Sequence, residues 1–145
     1  MHTKKQIVEC IEKCRAHGLK VTPQRLLIYN ELQTSNGHLS PEQLYNRVKE
    51  YQPNISLATV YKALDVFYSV RLVAKVTCLE CTSAYYETNI EHHHHLICKL
   101  CQAIDDIYSD QLDILNIPES LIKEYQISGF SIQLEGICKK CQSTK

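Results

Sequence analysis

Over the first seventy residues the apolar positions recur with a helical period. Ile7, Cys10, Ile11 and Cys14 fall at i, i+3, i+4 and i+7, which predicts an amphipathic helix that Gly18 ends. Thr22 followed by Pro23 reads as an N-cap with Pro in the first helical position, opening a second helix through Leu26, Tyr29 and Leu32. Asn36-Gly37-His38 is a turn. Ser40 reads as another N-cap, and Gln43 three residues on completes a capping box ahead of Leu44, Val48 and Tyr51. Pro53-Asn54 interrupts the pattern, and Ser56 caps a fourth helix running through Val60, Leu64 and Phe67.

After Val70 the pattern turns to β. Leu72 to Thr77 and Ala84 to Tyr86 are short β-prone runs about a loop, the signal of a hairpin. Helices followed by a hairpin predict a winged helix-turn-helix domain over residues 1–88. Residues 89–145 mix the two periods: His95 to Ile97, Ile104 to Tyr108 and Gly129 to Gly136 read as strands, and Asp110 to Tyr125 as a helix interrupted by Pro118. The fold class expected is α+β, with a small C-terminal α/β domain that needs a metal or a partner subunit to be stable.

Composition changes this picture in three places. The 145 residues are 44% hydrophobic and 22% charged with few Gly and Pro, which excludes collagen and low-complexity disorder. No apolar run is long enough to span a membrane, and the first residues lead into no signal core, so a cytoplasmic protein is expected. The net charge of zero conceals an asymmetry: residues 1–70 carry nine Lys/Arg against six Asp/Glu, and the remainder seven against ten. The front half is therefore mildly basic, as a nucleic-acid partner requires.

Eight cysteines in a chain with no secretory signal point to metal ligands rather than a disulfide framework. Cys98-Lys99-Leu100-Cys101 and Cys138-Lys139-Lys140-Cys141 are two C-x-x-C knuckles, and together they fill the four positions of a tetrahedral Zn²⁺. The 36 residues between them exceed a zinc-ribbon spacing, so a folded segment must lie inside the loop. Such structural sites bind with about 10–16 kcal/mol, enough to decide whether a small domain folds. The alternative is two surface thiol pairs or a redox dithiol. A third pair, Cys78 and Cys81, falls in the hairpin loop and reads as local thiols or a reversible disulfide, while Cys10 and Cys14 read as small buried hydrophobes.

His92 to His95 form a second cluster beside Glu87. In an extended chain alternate side chains share a face, so His93 and His95 can point together while His92 and His94 face away. Two imidazoles with carboxylates suit Fe²⁺, Mn²⁺ or Zn²⁺, and Asp105-Asp106 could complete such a site; a solvated histidine run is the alternative. The third constellation is Ser56-Leu57-Ala58-Thr59-Val60-Tyr61-Lys62, where a capped helix offers hydroxyls, methyl contacts and a cation to a major groove.

Thr22-Pro23-Gln24-Arg25, Ala58-Thr59-Val60-Tyr61, the histidine run ending in His93-His94-His95-Leu96-Ile97-Cys98, and the two knuckles together resemble the ferric uptake regulator (Fur) family, in family order from about residue 5 to residue 141. The resemblance implies a homodimeric winged-helix repressor that binds a palindromic double-stranded operator, with a C-terminal dimerisation domain. It further implies structural Zn²⁺ on Cys98, Cys101, Cys138 and Cys141, and a regulatory Fe²⁺ or Mn²⁺ held by His38, Glu87, His93, His95 and Asp106. DNA contacts are expected from Arg25, Ser56, Ala58, Thr59, Tyr61 and Lys62.

Asp106 and the six-residue step from Glu87 to His93 resemble the peroxide-sensing branch (PerR), in which peroxide reacts with bound Fe²⁺ and a ligand histidine is oxidised. The matching residues are His38 and His93. Glu87 stands where that branch commonly has Asp, which leaves an iron- or manganese-responsive repressor as the alternative and a zinc sensor behind it. Phe130 replaces the histidine that completes an additional metal site in some members, so His92, His94 and Asp113 lack a full set. The hairpin tip, Thr77 to Ser83, has no Gly and no basic residue. Enzyme classes are not expected: neither H-E-x-x-H nor a deaminase signature occurs.

Overall fold

The computed structural model describes residues 2–35, 37–78 and 81–143. Asn36 of the expected turn and Leu79-Glu80 of the expected hairpin tip lie outside the described residues. The chain forms two compact units, Met1–Ile90 and Glu91–Lys145.

The first unit runs α1 (His2–Ala16), α2 (Pro23–Thr34), α3 (Pro41–Val48), α4 (Leu57–Ser69), β1 (Ala74–Val76) and β2 (Tyr85–Glu87). Its helix starts follow from their caps. Thr22 Oγ1 accepts the Arg25 N–H at 3.2 Å and Ser56 Oγ accepts the Thr59 N–H at 3.1 Å. At Ser40 the capping box is reciprocal: Ser40 Oγ accepts the Gln43 N–H at 3.2 Å, and Gln43 Oε1 accepts the Ser40 N–H at 2.9 Å. Gly18, at φ +69°, supplies the left-handed residue that closes α1.

The apolar stripes of the four helices meet in one core holding Cys10, Ile28, Leu32, Leu44, Leu64 and Phe67. Phe67 is fully buried and meets Tyr29 edge-to-face at 5.6 Å. Cys10 and Cys14 lie in this core, and burial pushes the Cys10 thiol up to about 12, so it is chemically quiet. Strands β1 and β2 pair antiparallel with Ala74 opposite Glu87. The segment leading into α3 adds one bridge to this hairpin, Leu39 and Tyr86 exchanging both backbone hydrogen bonds at 3.0 and 2.8 Å.

The second unit is a three-stranded sheet in the order β4-β3-β5, with β3 (His94–Cys98) central, β4 (Ile104–Ile107) antiparallel to it and β5 (Gln133–Gly136) parallel. The helix expected over residues 110–125 is two short ones, α5 (Asp110–Asp113) and α6 (Glu119–Glu124). Pro118 lacks an N–H and disfavours helical backbone in the residue before it, so α5 stops early and α6 starts at the proline. The strand expected from Gly129 begins only at Gln133, because the Ile132 N–H is committed to the His94 ring instead of a ladder. A short α7 (Lys139–Gln142), unexpected from sequence, carries the second knuckle.

No residue of the second unit belongs to the apolar core cluster among the described residues. Instead Leu100, Tyr108, Ile114, Ile122 and Tyr125 are more than half exposed. Stability in the first unit thus rests on burial and in the second on something else. Phe67→Ala is expected to destabilise the first unit by about 3–5 kcal/mol through cavity formation, measured as a lower urea midpoint for the helical signal with the zinc content unchanged.

Candidate metal centres and nucleic-acid interface

The second unit brings Cys98, Cys101, Cys138 and Cys141 together, their sulfurs all within 4.8 Å of one another. Cys98 sits at the end of β3, which pairs with Gly136 of β5, so the parallel ladder sets the two knuckles side by side. Cys101 Sγ and Cys138 Sγ are 3.7 Å apart, matching the edge of about 3.8 Å that a tetrahedron with Zn–S bonds of 2.3 Å requires. Backbone N–H groups of Cys101 and Cys138 point at the Cys98 sulfur and lower its pKa to about 6, so it is held as a thiolate. Hydrogen bonding to Cys138 and Cys101 pushes the Cys141 thiol up to about 12, so a proton stays within the cluster until a dication displaces it. Four thiolates on one Zn²⁺ would leave no open position, which is the chemistry of a structural rather than a catalytic site.

On the same unit His93 and His95 point to one side, Nε2 to Nε2 at 2.9 Å. His95 lies opposite Asp106 in the β3–β4 ladder, and Asp106 Oδ1 is 3.3 Å from His93 Nε2 and 3.5 Å from His95 Nε2. His93 Nδ1 donates to the Glu91 carbonyl at 2.6 Å, which leaves the Nε2 lone pair for the cluster. The first unit supplies a separate acid–imidazole pair: His38 Nε2 meets a Glu87 carboxylate oxygen, both side chains almost wholly buried. The Leu39–Tyr86 bridge places these two residues opposite each other.

His92 and His94 face the other way, as strand alternation requires, and share Asp113 Oδ1 at 3.2 and 2.7 Å. His94 is fully buried, and both its ring nitrogens are used: Nδ1 accepts the Ile132 N–H at 3.0 Å and Nε2 donates to Asp113. Phe130 stacks on His94 with centroids 6.0 Å apart and meets His92 at 5.5 Å. The position that would complete this triad therefore carries a ring without a donor atom.

In the first unit a concavity of about 250 Å³ lies between the start of α2 and the first turns of α4, lined by Lys20, Thr22, Gln24, Arg25, Thr59 and Lys62. Three cations converge there, Arg25 being fixed by an Nη1 hydrogen bond to the Lys20 carbonyl at 2.6 Å. The Ser56 and Thr59 hydroxyls bond each other at 2.8 Å, while Ala58 and Lys62 are exposed. The Tyr61 hydroxyl donates to Glu42 Oε1 at 2.7 Å.

Lys20 and Glu42 were not singled out by sequence reasoning. Lys20 stands two residues before the Thr22 cap, a position where its charge was legible. Glu42 gave no signal beyond its capping segment, because its partner Tyr61 lies nineteen residues away.

Because metal binding requires deprotonated thiols, chelation at mildly acidic pH should strip the four-cysteine cluster. Amide hydrogen exchange is then expected to lose protection across β3, β4 and β5 while α2 and α4 retain theirs; equal loss in both units would count against a purely local structural role.

The family model described as "Ferric uptake regulator family" matches residues 16–142. The peroxide-responsive repressor PerR of Staphylococcus epidermidis is 30% identical over 137 residues, covering 94% of this chain and 91% of that protein. The ferric uptake regulator of Helicobacter pylori, whose structure reveals three functional metal binding sites, superposes with a TM-score of 0.80 at 24% identity, over 99% of this chain and 95% of that one. The ferric uptake regulator of Vibrio cholerae is 30% identical with a TM-score of 0.68, over 88% and 98% of the two chains. With a family match spanning most of its length, the four-thiol cluster and the alternating histidines leading into β3, the chain belongs to the ferric uptake regulator family.

Proposed function

We propose that this protein is a homodimeric, metal-dependent transcriptional repressor that binds a palindromic DNA operator and is released by peroxide through oxidation of His38 or His93. The observation that carries the reading is the convergence of His93, His95 and Asp106 on one side of β3, with the buried His38–Glu87 pair of the other unit as the remaining ligands. Three imidazoles and two carboxylates suit Fe²⁺ or Mn²⁺. His93 enters as a neutral imidazole, its Nδ1–H held by the Glu91 carbonyl, and Asp106 and Glu87 offset the charge of the cation.

Residues 1–88 are proposed as the DNA-binding domain and residues 89–145 as the dimerisation domain. The exposed apolar side chains of the second unit, Ile114 and Ile122 among them, favour a second copy as its cover. The Lys20, Arg25 and Lys62 concavity supports a phosphate contact beside α4, and Ala58, Thr59 and Tyr61 on that helix are the base-reading candidates. A metal that draws ligands from both halves favours one arrangement of the two domains, and shifts their equilibrium only by its differential affinity for that arrangement. The favoured arrangement sets two α4 helices in successive major grooves, about 10 base pairs apart.

Peroxide response is supported by the similarity to PerR over 94% of the chain and by Asp106. Fe²⁺ held by His38, Glu87, His93, His95 and Asp106 would supply redox chemistry toward peroxide at this site. His38 and His93 are the ligand imidazoles that would be oxidised there, and a ring carrying oxygen would no longer offer the same lone pair to the metal. The contact between Glu87 and His38 favours a second reading, an iron- or manganese-responsive repressor in which the longer carboxylate fills the position peroxide needs. A cytoplasmic, non-enzymatic regulator is the reading that membership of this family of regulators supports. No helix among the described residues is long and apolar enough to cross a membrane.

The test is peptide mass spectrometry on iron-loaded and manganese-loaded protein after brief peroxide exposure. One added oxygen on the His38 or His93 peptide, in the iron form alone, is expected. Unmodified histidines with iron in the site would replace peroxide sensing by the second reading.

A further inference from the structure

Six of the eight cysteines are accounted for: four in the metal cluster, and Cys10 and Cys14 in the core. The remaining two, Cys78 and Cys81, follow β1 and precede β2 and are joined by a disulfide. They are half-buried at the surface of the unit, within reach of small oxidants and reductants. Their Cα atoms are 5.1 Å apart, and the Cys81 N–H donates to the Cys78 carbonyl at 3.3 Å. The backbones of Cys78 and Cys81 thus lie within the separation a disulfide requires, and neither residue belongs to the paired strands β1 and β2.

What the hairpin touches gives this couple a consequence. Two residues after Cys81, the Ser83 hydroxyl donates to Glu42 Oε2 at 3.4 Å. The other oxygen of that carboxylate accepts from Tyr61 on α4 at 2.7 Å. The Tyr61 hydroxyl first, then the Glu42 backbone N–H, with Ser83 and Ser40 contributing less, hold the Glu42 carboxyl below its ordinary range, and the Tyr61–Glu42 bond raises the Tyr61 phenol. A relay of three side chains therefore links the hairpin to the exposed face of the helix assigned to DNA.

We propose that Cys78 and Cys81 are a reversible dithiol–disulfide couple, oxidised by hydroperoxide, whose state sets the seating of Ser83 on Glu42 and thereby the positioning of Tyr61 for DNA. The inference rests on the DNA-binding reading of α4. In the oxidation one thiolate attacks a peroxide oxygen, the O–O bond breaks, and hydroxide leaves and is protonated to water, leaving a sulfenic acid. The second sulfur then displaces that hydroxyl as water and forms the S–S bond, so two electrons pass from the two thiols to the peroxide. A small dithiol reductant reverses the change by exchange. Cysteines in a reducing compartment that form such a pair are transient redox devices rather than staples. Closing the ring restricts the segment that carries Ser83, so less ordering remains to be done when DNA binds; this effect is separate from, and opposite in sign to, release by iron-dependent histidine oxidation.

The experiment uses the full-length, zinc-containing dimer loaded with manganese, so that iron chemistry at the histidines is absent. The probe is a duplex selected by this protein from a random-sequence pool. After peroxide, the peptide holding Cys78 and Cys81 should lose two hydrogens, and the oxidised protein should bind the duplex about 3- to 10-fold more tightly than the reduced one, the scale expected from pre-ordering a short loop. Cys78→Ser with Cys81→Ser should abolish the difference, and Ser83→Ala should form the disulfide yet lose most of it. Thiols that stay reduced, or a disulfide that leaves affinity unchanged, would overturn the proposal. Failure to select any duplex would remove the DNA reading and this inference with it, whereas histidine oxidation is read on other peptides and stands or falls separately.

Discussion

The second unit, residues 91–145, has to hold a three-stranded sheet together with almost no apolar interior. Among its described residues only Ile97 is a buried aliphatic side chain, while other apolar side chains such as Ile114 and Tyr125 lie open. Burial worth about 25 cal/mol per Å² cannot secure such a sheet when the apolar area stays outside. The four thiols at one end of the β3–β5 ladder are placed to supply the missing constraint, since bonding them to one cation would tie the first knuckle to the second across 36 intervening residues. Everything proposed for the histidines depends on this, because His94 and His95 open the strand that ends in Cys98 and His92 and His93 lead directly into it.

That strand also sorts the histidines by parity. His93 and His95 converge on Asp106, and His92 and His94 on Asp113, simply because successive side chains leave a strand on opposite faces. The two faces then differ in chemistry. On one, the Glu91 carbonyl takes the Nδ1–H of His93, so that the Nε2 lone pair faces His95 and Asp106. The other is closed: His94 has both nitrogens engaged and Phe130 packed on its ring, so His94 orders the backbone at Ile132 instead of offering itself as a ligand. Four consecutive, chemically identical residues thereby acquire two different roles.

The helices of the first unit were legible because their signals are local. Thr22-Pro23, the Ser40–Gln43 box and Ser56 each act within one turn, and the structure places a helix start at every one. The same holds for the pairing of His93 with His95, since period two is geometry and needs no tertiary context. The His38–Glu87 pair was not legible from spacing; it came only with the family resemblance, because a bridge between Leu39 and Tyr86 sets it. The helix over residues 110–125 and the strand from Gly129 differ in extent from what local pattern predicts for a related reason: Pro118 and the His94–Ile132 hydrogen bond override local propensity. Glu42 and Tyr61 illustrate the limit, two side chains whose contact depends on how α3 and α4 pack.

The central claim is that metal ligation at His38, Glu87, His93, His95 and Asp106 is coupled to DNA affinity. Its most direct test is the affinity of the zinc-containing dimer for one selected palindromic duplex, measured by fluorescence anisotropy at fixed salt with and without saturating Mn²⁺. The account predicts a coupling of at least 1–3 kcal/mol, seen as about 5- to 150-fold tighter binding with the metal present. Equal affinity in the two states, with the metal shown to be bound, would contradict it.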